Sequence, residues 1–600
     1  MGARKDRFAR GTLGIRSGRR GENARQKRAN LPVRALRCLC VLCAESFLFS
    51  HSLGYVTVHE EPYLSLATIA AASGEEIVPF DLPRAQKPLF HALMDARSAF
   101  GGKTTAIVDG DERHFTYDEI VRAALALGHA LKAGTKQGEA VGVMLPTGAG
   151  AIISFFAVSA YGRVPAMLNF TAGAAAIKAA MHMAKVKRIV TARRFVELAK
   201  FEALVCELEG AASVVYLEDV RANLSLRDKA AAAVGQLARG LVVSRPQHGA
   251  PAVYLFTSGT EGEPKGVALS HLNLLSNVEQ VRSHIELHTH DVLFNPLPTF
   301  HCFGLTVGAL MPLLLGIKAV FHPTPLQPRE IARRIRQSGA TILLSTDTFI
   351  SQTARAGDQG DLNSLRLAVC GAERLRDETR TLVRKKYSIE LLEGYGVTEA
   401  SPVIAANQPG ANRPGTVGRL MQGIESRLEP VEGIPHAGRL VVRGPNVMLG
   451  YIRPEQPGTF APPPGGWYDT GDIVSIDQDG FIAIKGRLKR FAKIGGEMVS
   501  LAVIESCASA IWPDYSHAAI AVAGGRKGEE ILLVTTCSDA ERTQFAGWVH
   551  NHGVQELAIP RRILLVESIP VLGTGKTDYA KLTKTLQESG ALEEPETARG

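Results

Sequence analysis

From about residue 81 the chain alternates regularly between short β-branched apolar runs and Ala-rich segments of helical character. Apolar runs at 140–144, 188–191 and 213–217 are followed by others at 252–256, 341–344 and 365–369, and the later ones empty into loops rich in Gly, Ser or Thr. Strand, loop and helix repeating in that order predict an α/β fold of layered sheets and helices, whose ligands gather at the carboxyl ends of parallel strands. The segment 462–466, PPPGG, reads as a turn, and beyond Gly486 a basic, Gly-containing stretch precedes a new short α/β pattern. A domain boundary is therefore expected near Lys489. No fixed-period repeat is present, which disfavours solenoids and propellers.

The length, 600 residues, exceeds what one core usually organises, and 45% hydrophobic with 21% charged residues describes a globular chain. The net charge of +9 would suggest nucleic acid or a membrane if it were spread over the fold. It is not: residues 1–40 contain twelve Lys and Arg against Asp6 and Glu22, a local +10 that leaves the remainder nearly neutral. This segment reads as a disordered leader, and nucleic-acid binding is not expected of the folded body. The apolar stretch 36–56 is interrupted by Arg37, Glu45 and His51, so no spanning helix is expected. Cys38, Cys40 and Cys43 have no second ligand cluster to complete a metal site, and the other five cysteines stand singly, as expected of reduced thiols in the cytoplasm.

The richest chemistry lies at 254–266, YLFTSGTEGEPKG, a strand running into a loop of glycines and hydroxyls with one lysine. Gly259 and Gly262 let backbone N–H groups approach an anion; Thr257, Ser258 and Thr260 add hydroxyl donors, and Lys265 adds a compact positive charge. Such a loop suits polyphosphate. It is not a Walker A loop, because neither 262–266 nor the GTGKT at 573–577 has the glycine spacing that motif requires.

TSGTEGEPKG resembles the signature loop of the AMP-binding, adenylate-forming superfamily of acyl-CoA synthetases, luciferases and peptide-synthetase adenylation domains. Further segments occur in that family's order across roughly residues 82–585. In 391–400, LLEGYGVTEA, the resemblance implies that Tyr395, followed by Gly396, stacks on adenine, that Thr398 binds phosphate and that Glu399 holds Mg²⁺. Gly371, Ala372 and Glu373 resemble the loop that reads the adenine edge. In YDTGD, 468–472, Asp472 would accept the ribose hydroxyls, with Arg487 adding a second contact. Lys489 occupies the hinge position between the two catalytic steps. Lys576, in PVLGTGK, would bridge the substrate carboxylate and the α-phosphate.

The segment 295–301, NPLPTFH, matches the element that in fatty-acid members carries a gate residue, here His301. The apolar stretch from Gly304 onward either leaves room for an acyl tail or is an ordinary buried helix. The basic stretch 485–500, KGRLKRFAKIGGEMVS, suits steering of an acidic carrier protein, with Gly495 and Gly496 letting a pantetheine arm pass. It is similar to the ligase half of bifunctional 2-acylglycerophosphoethanolamine acyltransferase/acyl-acyl carrier protein synthetases. The acyltransferase half relies on HxxxxD, and no such motif occurs here; Asp95 follows His91 one residue too early.

The expectation is thus a leader at 1–80, an adenylate-forming domain at 81–488, a small mobile α+β domain at 489–590 and a tail at 591–600. The expected reaction activates a fatty acid with ATP and Mg²⁺ and passes it to acyl carrier protein, with CoA as the alternative acceptor. The expected location is the cytoplasm, with the basic leader available for peripheral contact at the inner membrane face.

Overall fold

The computed structural model describes residues 79–258, 264–494, 497–524, 528–571 and 577–592. The leader, apart from its last two residues, and the CxCxxC cluster lie outside them. The expected apolar runs are strands, but they are shared between two sheets. Ala140–Val143, Arg188–Thr191, Ser213–Tyr216 and Pro251–Ser258 join an eight-stranded sheet, whereas Ile342–Ser345 and Leu367–Cys370 join a nine-stranded one. Both have parallel centres; the nine-stranded sheet is antiparallel at both edges, whereas the eight-stranded one is antiparallel on one side only and ends on the other in the parallel strand Ser213–Tyr216. Helices such as Ala149–Ala160 are apolar almost all round and pack between layers, where Phe155 and Phe156 are fully buried with ring centroids 5.4 Å apart.

The strands Glu425–Pro430, Gly438–Arg443, Tyr468–Ile476 and Ile482–Arg487 form an antiparallel four-stranded sheet. The short turn Leu488–Arg490 leads from it into a five-stranded sheet that begins at Phe491–Ile494 and is covered by the helices Leu501–Ile511 and Tyr579–Glu588. The large layered α/β part and the small C-terminal α+β part expected from the sequence are therefore both present. Arg562 donates to the carbonyls of Ala591 and Leu592. Among the described residues no helix is long and apolar enough to cross a membrane.

The helix His271–Arg282 is capped by Ser270 and Asn273 and buried along most of its length. Just beyond it His284 is buried, with Nε2 at 2.8 Å from the Ala406 carbonyl. Burial holds His271, His284 and His322 at about 4, below the ordinary 6.5. Each takes up its proton at higher pH when unfolded than when folded, so acidification favours the unfolded chain. Stability should therefore fall as pH drops from 6.5 toward 4, by at most about 1.4 kcal/mol per pH unit for each histidine. Denaturant titrations of the full chain and of His284→Gln at pH 7.5, 6.5 and 5.5 check this, and the variant should show the shallower slope.

Candidate functional site

Strands Leu367–Cys370 and Leu391–Gly396 run side by side and end at the same edge of the nine-stranded sheet. A cavity of about 210 Å³ opens there, lined by polar groups that include Tyr395 and Arg487 and by an apolar cluster that includes Val281, Val307 and Leu344. Thr257, Gly371, Ala372, Tyr395, Thr398 and Arg487 line the polar part. Ala372 has φ +69°, a left-handed conformation uncommon for a residue with a Cβ and often found at functional sites.

Asp472 is only 4% exposed and lies opposite Arg487 in the antiparallel register. Tyr395 Oη donates to its Oδ2 at 2.5 Å, and Arg487 Nε donates to Oδ1 at 3.2 Å. Thr470 Oγ1 donates to the Leu440 carbonyl and accepts from the Asp472 N–H, so the backbone beneath the carboxylate is fixed. Gly471, at φ +69°, lies where the strand Tyr468–Ile476 bulges against Gly438–Arg443, between the pairs Val441 with Asp469 and Arg439 with Ile473. Burial, then the Asp472 charge, holds the Tyr395 phenol well above its ordinary value, so it remains a donor.

Glu399 sits in the tight turn Thr398–Ala400, buried, with Oε1 accepting from Tyr451 Oη at 2.6 Å. Tyr468 Oη is 3.4 Å from Tyr451 Oη, and Lys265 Nζ lies 5.2 Å from the centre of the Tyr451 ring. The turn is held from outside: Met448 N–H donates to the Glu399 carbonyl and Asn446 Nδ2 to that of Ala400. Tyr451 thus links the strand after the Gly-rich loop to the candidate metal carboxylate. Sequence reasoning missed it, because an isolated tyrosine in a three-residue strand, Gly450–Ile452, carries no local signal.

His301 lies at the cavity wall. The following segment, Phe303–Leu310, is a π-helix, a widened coil often found at functional sites. Asn295 fixes it by donating from Nδ2 to the Gly304 carbonyl, and a Cβ on Gly304 would come 2.3 Å from the Pro298 carbonyl oxygen. Val307, Met311, Val281, Ile285, Leu344 and Met421 line the apolar part.

Not every expected residue gathers here. Glu373 does not line the cavity; its Oε2 accepts from the Thr348 N–H at 3.0 Å at the start of the helix Asp347–Ala356. Lys489 is in the turn between the two sheets. Gly259, Thr260, Gly262, Gly495, Gly496, Lys576 and the Ser258 side chain lie outside the described residues.

Three likenesses bear on this geometry. The chain is 29% identical over 358 residues to the mitochondrial medium-chain acyl-CoA ligase ACSF2 of Macaca fascicularis, covering 55% of this chain and 56% of that protein. It is 28% identical over 347 residues to the medium-chain fatty-acid–CoA ligase of Escherichia coli K12, covering 56% of this chain and 61% of that one. The match thus spans little more than half the length of either relative. Among solved structures, ATP-bound MatB from Rhodopseudomonas palustris superposes with a TM-score of 0.72 at 25% identity, covering 84% of this chain and 99% of that one. The family described as AMP-binding enzyme matches residues 95–452, a stretch that contains the Gly-rich loop, Tyr395 and Glu399. Since that stretch is more than half of its length, the chain belongs to the AMP-binding enzyme family.

Proposed function

We propose that the chain is an AMP-forming acid–thiol ligase that activates an aliphatic carboxylic acid with ATP and transfers the acyl group to CoA. The observation that carries this reading is one cavity lined both by polar groups and by a mainly aliphatic cluster. That lining suits an acid whose carboxylate meets a nucleotide while its tail enters apolar surroundings. The names of the two ligases support CoA and a medium-length acid. Carrier protein remains a second reading, favoured by the basic stretch around Lys485, Lys489 and Lys493.

The reaction has two steps. A carboxylate oxygen attacks the α-phosphorus of ATP and pyrophosphate leaves; the thiolate sulfur then attacks the acyl carbon of the mixed anhydride and AMP leaves. Tyr395 offers a ring face beside Gly371 and Ala372 for the base, and Asp472 accepts from the ribose. Lys576 offsets the negative charge that accumulates as two anions meet, and Thr257, Thr260 and Lys265 bind phosphate. Among the described residues no three His, Cys, Asp or Glu side chains converge as metal ligands. One buried carboxylate, Glu399, completed by phosphate oxygens and water, fits Mg²⁺, which would screen phosphate charge there.

The hinge assignment at Lys489 has support on both sides. Arg487 is tied to Asp472, whereas Arg490 Nη2 is tied to Glu505 at 2.6 Å and its guanidinium lies 3.7 Å from the Tyr579 ring centre. Backbone rotation between two anchored arginines falls on Leu488 and Lys489.

Two measurements test these assignments. AMP release should require ATP, Mg²⁺ and an aliphatic acid, with CoA the better acceptor when holo carrier protein is offered in parallel. Lys576→Ala and Asp472→Asn should each lower kcat/KM by roughly 10²-fold or more. Faster turnover with carrier protein would favour the second reading, and no turnover with aliphatic acids of any length would overturn both. In the second test, Lys489→Pro should leave acid-dependent pyrophosphate release within a few-fold of the parent and abolish thioester formation; equal loss of both steps would remove the hinge assignment.

A further inference from the structure

The helix Leu226–Leu237 and the turn of helix Arg239–Val242 after it are oriented opposite to an ordinary surface helix. The inward face of the first is polar or small. Asp228, buried, pairs with His129 Nδ1 at 2.6 Å, and Gln236 Nε2 donates to Asp118 Oδ1 at 2.8 Å. Gly235 packs so closely that a Cβ there would come 3.0 Å from Leu125 Cδ1. The outward face carries Leu226, Leu237 and Leu241 at 83%, 88% and 80% exposure, with Val234 at 42%. Ala230 and Ala233 are exposed between them.

Positions 226, 230, 233, 234 and 237 fall on one side of the helix, and Leu241 is exposed in the next turn beyond the break at Ala238, so these groups form a stripe rather than scattered leucines. Arg227, Lys229 and Arg245 are exposed beside it. Between residues 223 and 247 the sequence holds one acid, Asp228, and that acid faces inward. A contiguous apolar stripe edged by cations calls for a partner that is apolar within and anionic at its boundary.

We propose that this stripe docks on the surface of an anionic phospholipid bilayer, the leucines entering the acyl boundary and the cations meeting lipid phosphates. The helix need not detach to do so, because Asp228, Gln236 and Gly235 fix its other face to the body. This inference stands apart from the proposed reaction and from the basic leader.

Co-flotation of the full chain with phosphatidylcholine vesicles, with and without phosphatidylglycerol, tests it. Binding should require the anionic lipid. It should weaken at least tenfold in Leu237→Asp/Leu241→Asp and in Arg227→Glu/Lys229→Glu. Leu198→Asp, on another helix and itself 75% exposed, should bind like the parent. All these positions are exposed, and an unchanged thermal midpoint verifies that each variant is folded. The leader is identical in every protein compared. Binding unchanged in both double variants, equal binding to neutral vesicles, or no binding to either vesicle would overturn the proposal. So would self-association without lipid that Leu237→Asp/Leu241→Asp abolishes, since it would assign the stripe to a second copy of the chain.

Discussion

The helix His271–Arg282 is surrounded by protein yet carries Asn273, Ser276, Asn277, Glu279 and Gln280 among its buried residues. A buried amide without partners costs roughly 1–3 kcal/mol, so the positions of what these side chains touch are tightly constrained. Asn273 Nδ2 donates to the carbonyls of Pro445 and Val447, and Gln280 Nε2 donates to that of Gln422. Asn277 both donates to the Val403 carbonyl and accepts from the Val403 N–H, as a neighbouring strand would. The segments so held flank the turn carrying Thr398 and Glu399. Val281, near the C-terminal end of the same helix, faces the apolar part of the cavity. One rigid element thereby ties that turn to the cavity's apolar lining.

What was legible in the sequence was what local chemistry dictates. Glycines and hydroxyls after a strand, a tyrosine between glycines, and an aspartate behind a Thr-Gly turn each have a reason visible within a few residues. The buried polar helix was not legible as such, because its partners at Val403, Gln422 and Val447 lie more than a hundred residues away. Tyr451 on Glu399, 52 residues apart, was hidden in the same way, as was the division of similar-looking strands between two sheets, which depends on pairing rather than composition. Nor was the partner of Glu373 legible from its place beside Gly371 and Ala372, since its carboxylate accepts from the Thr348 N–H.

The four-stranded sheet has a comparable linking role. Asp472 and Arg487 face each other across it, and Tyr395 reaches Asp472 from the nine-stranded sheet. A substitution at any of the three would therefore disturb two sheets at once, and a loss of activity there needs a stability measurement beside it to be interpreted.

The coil Phe303–Leu310 has wider turns than an α-helix, holding more residues in each. Its breadth is locked by contacts that leave no room for side chains at Gly304 or Gly308. The direction in which Val307 and Met311 point is therefore governed by how many residues the coil contains. Removing one residue would turn the rest of the coil about its axis by somewhat less than the roughly one hundred degrees that a residue subtends in an α-helix, re-aiming the wall of the cavity while leaving the Tyr395, Asp472 and Arg487 contacts to other strands. In this fold, the shape of the apolar part can be altered by chain length at a single point, with every side chain kept.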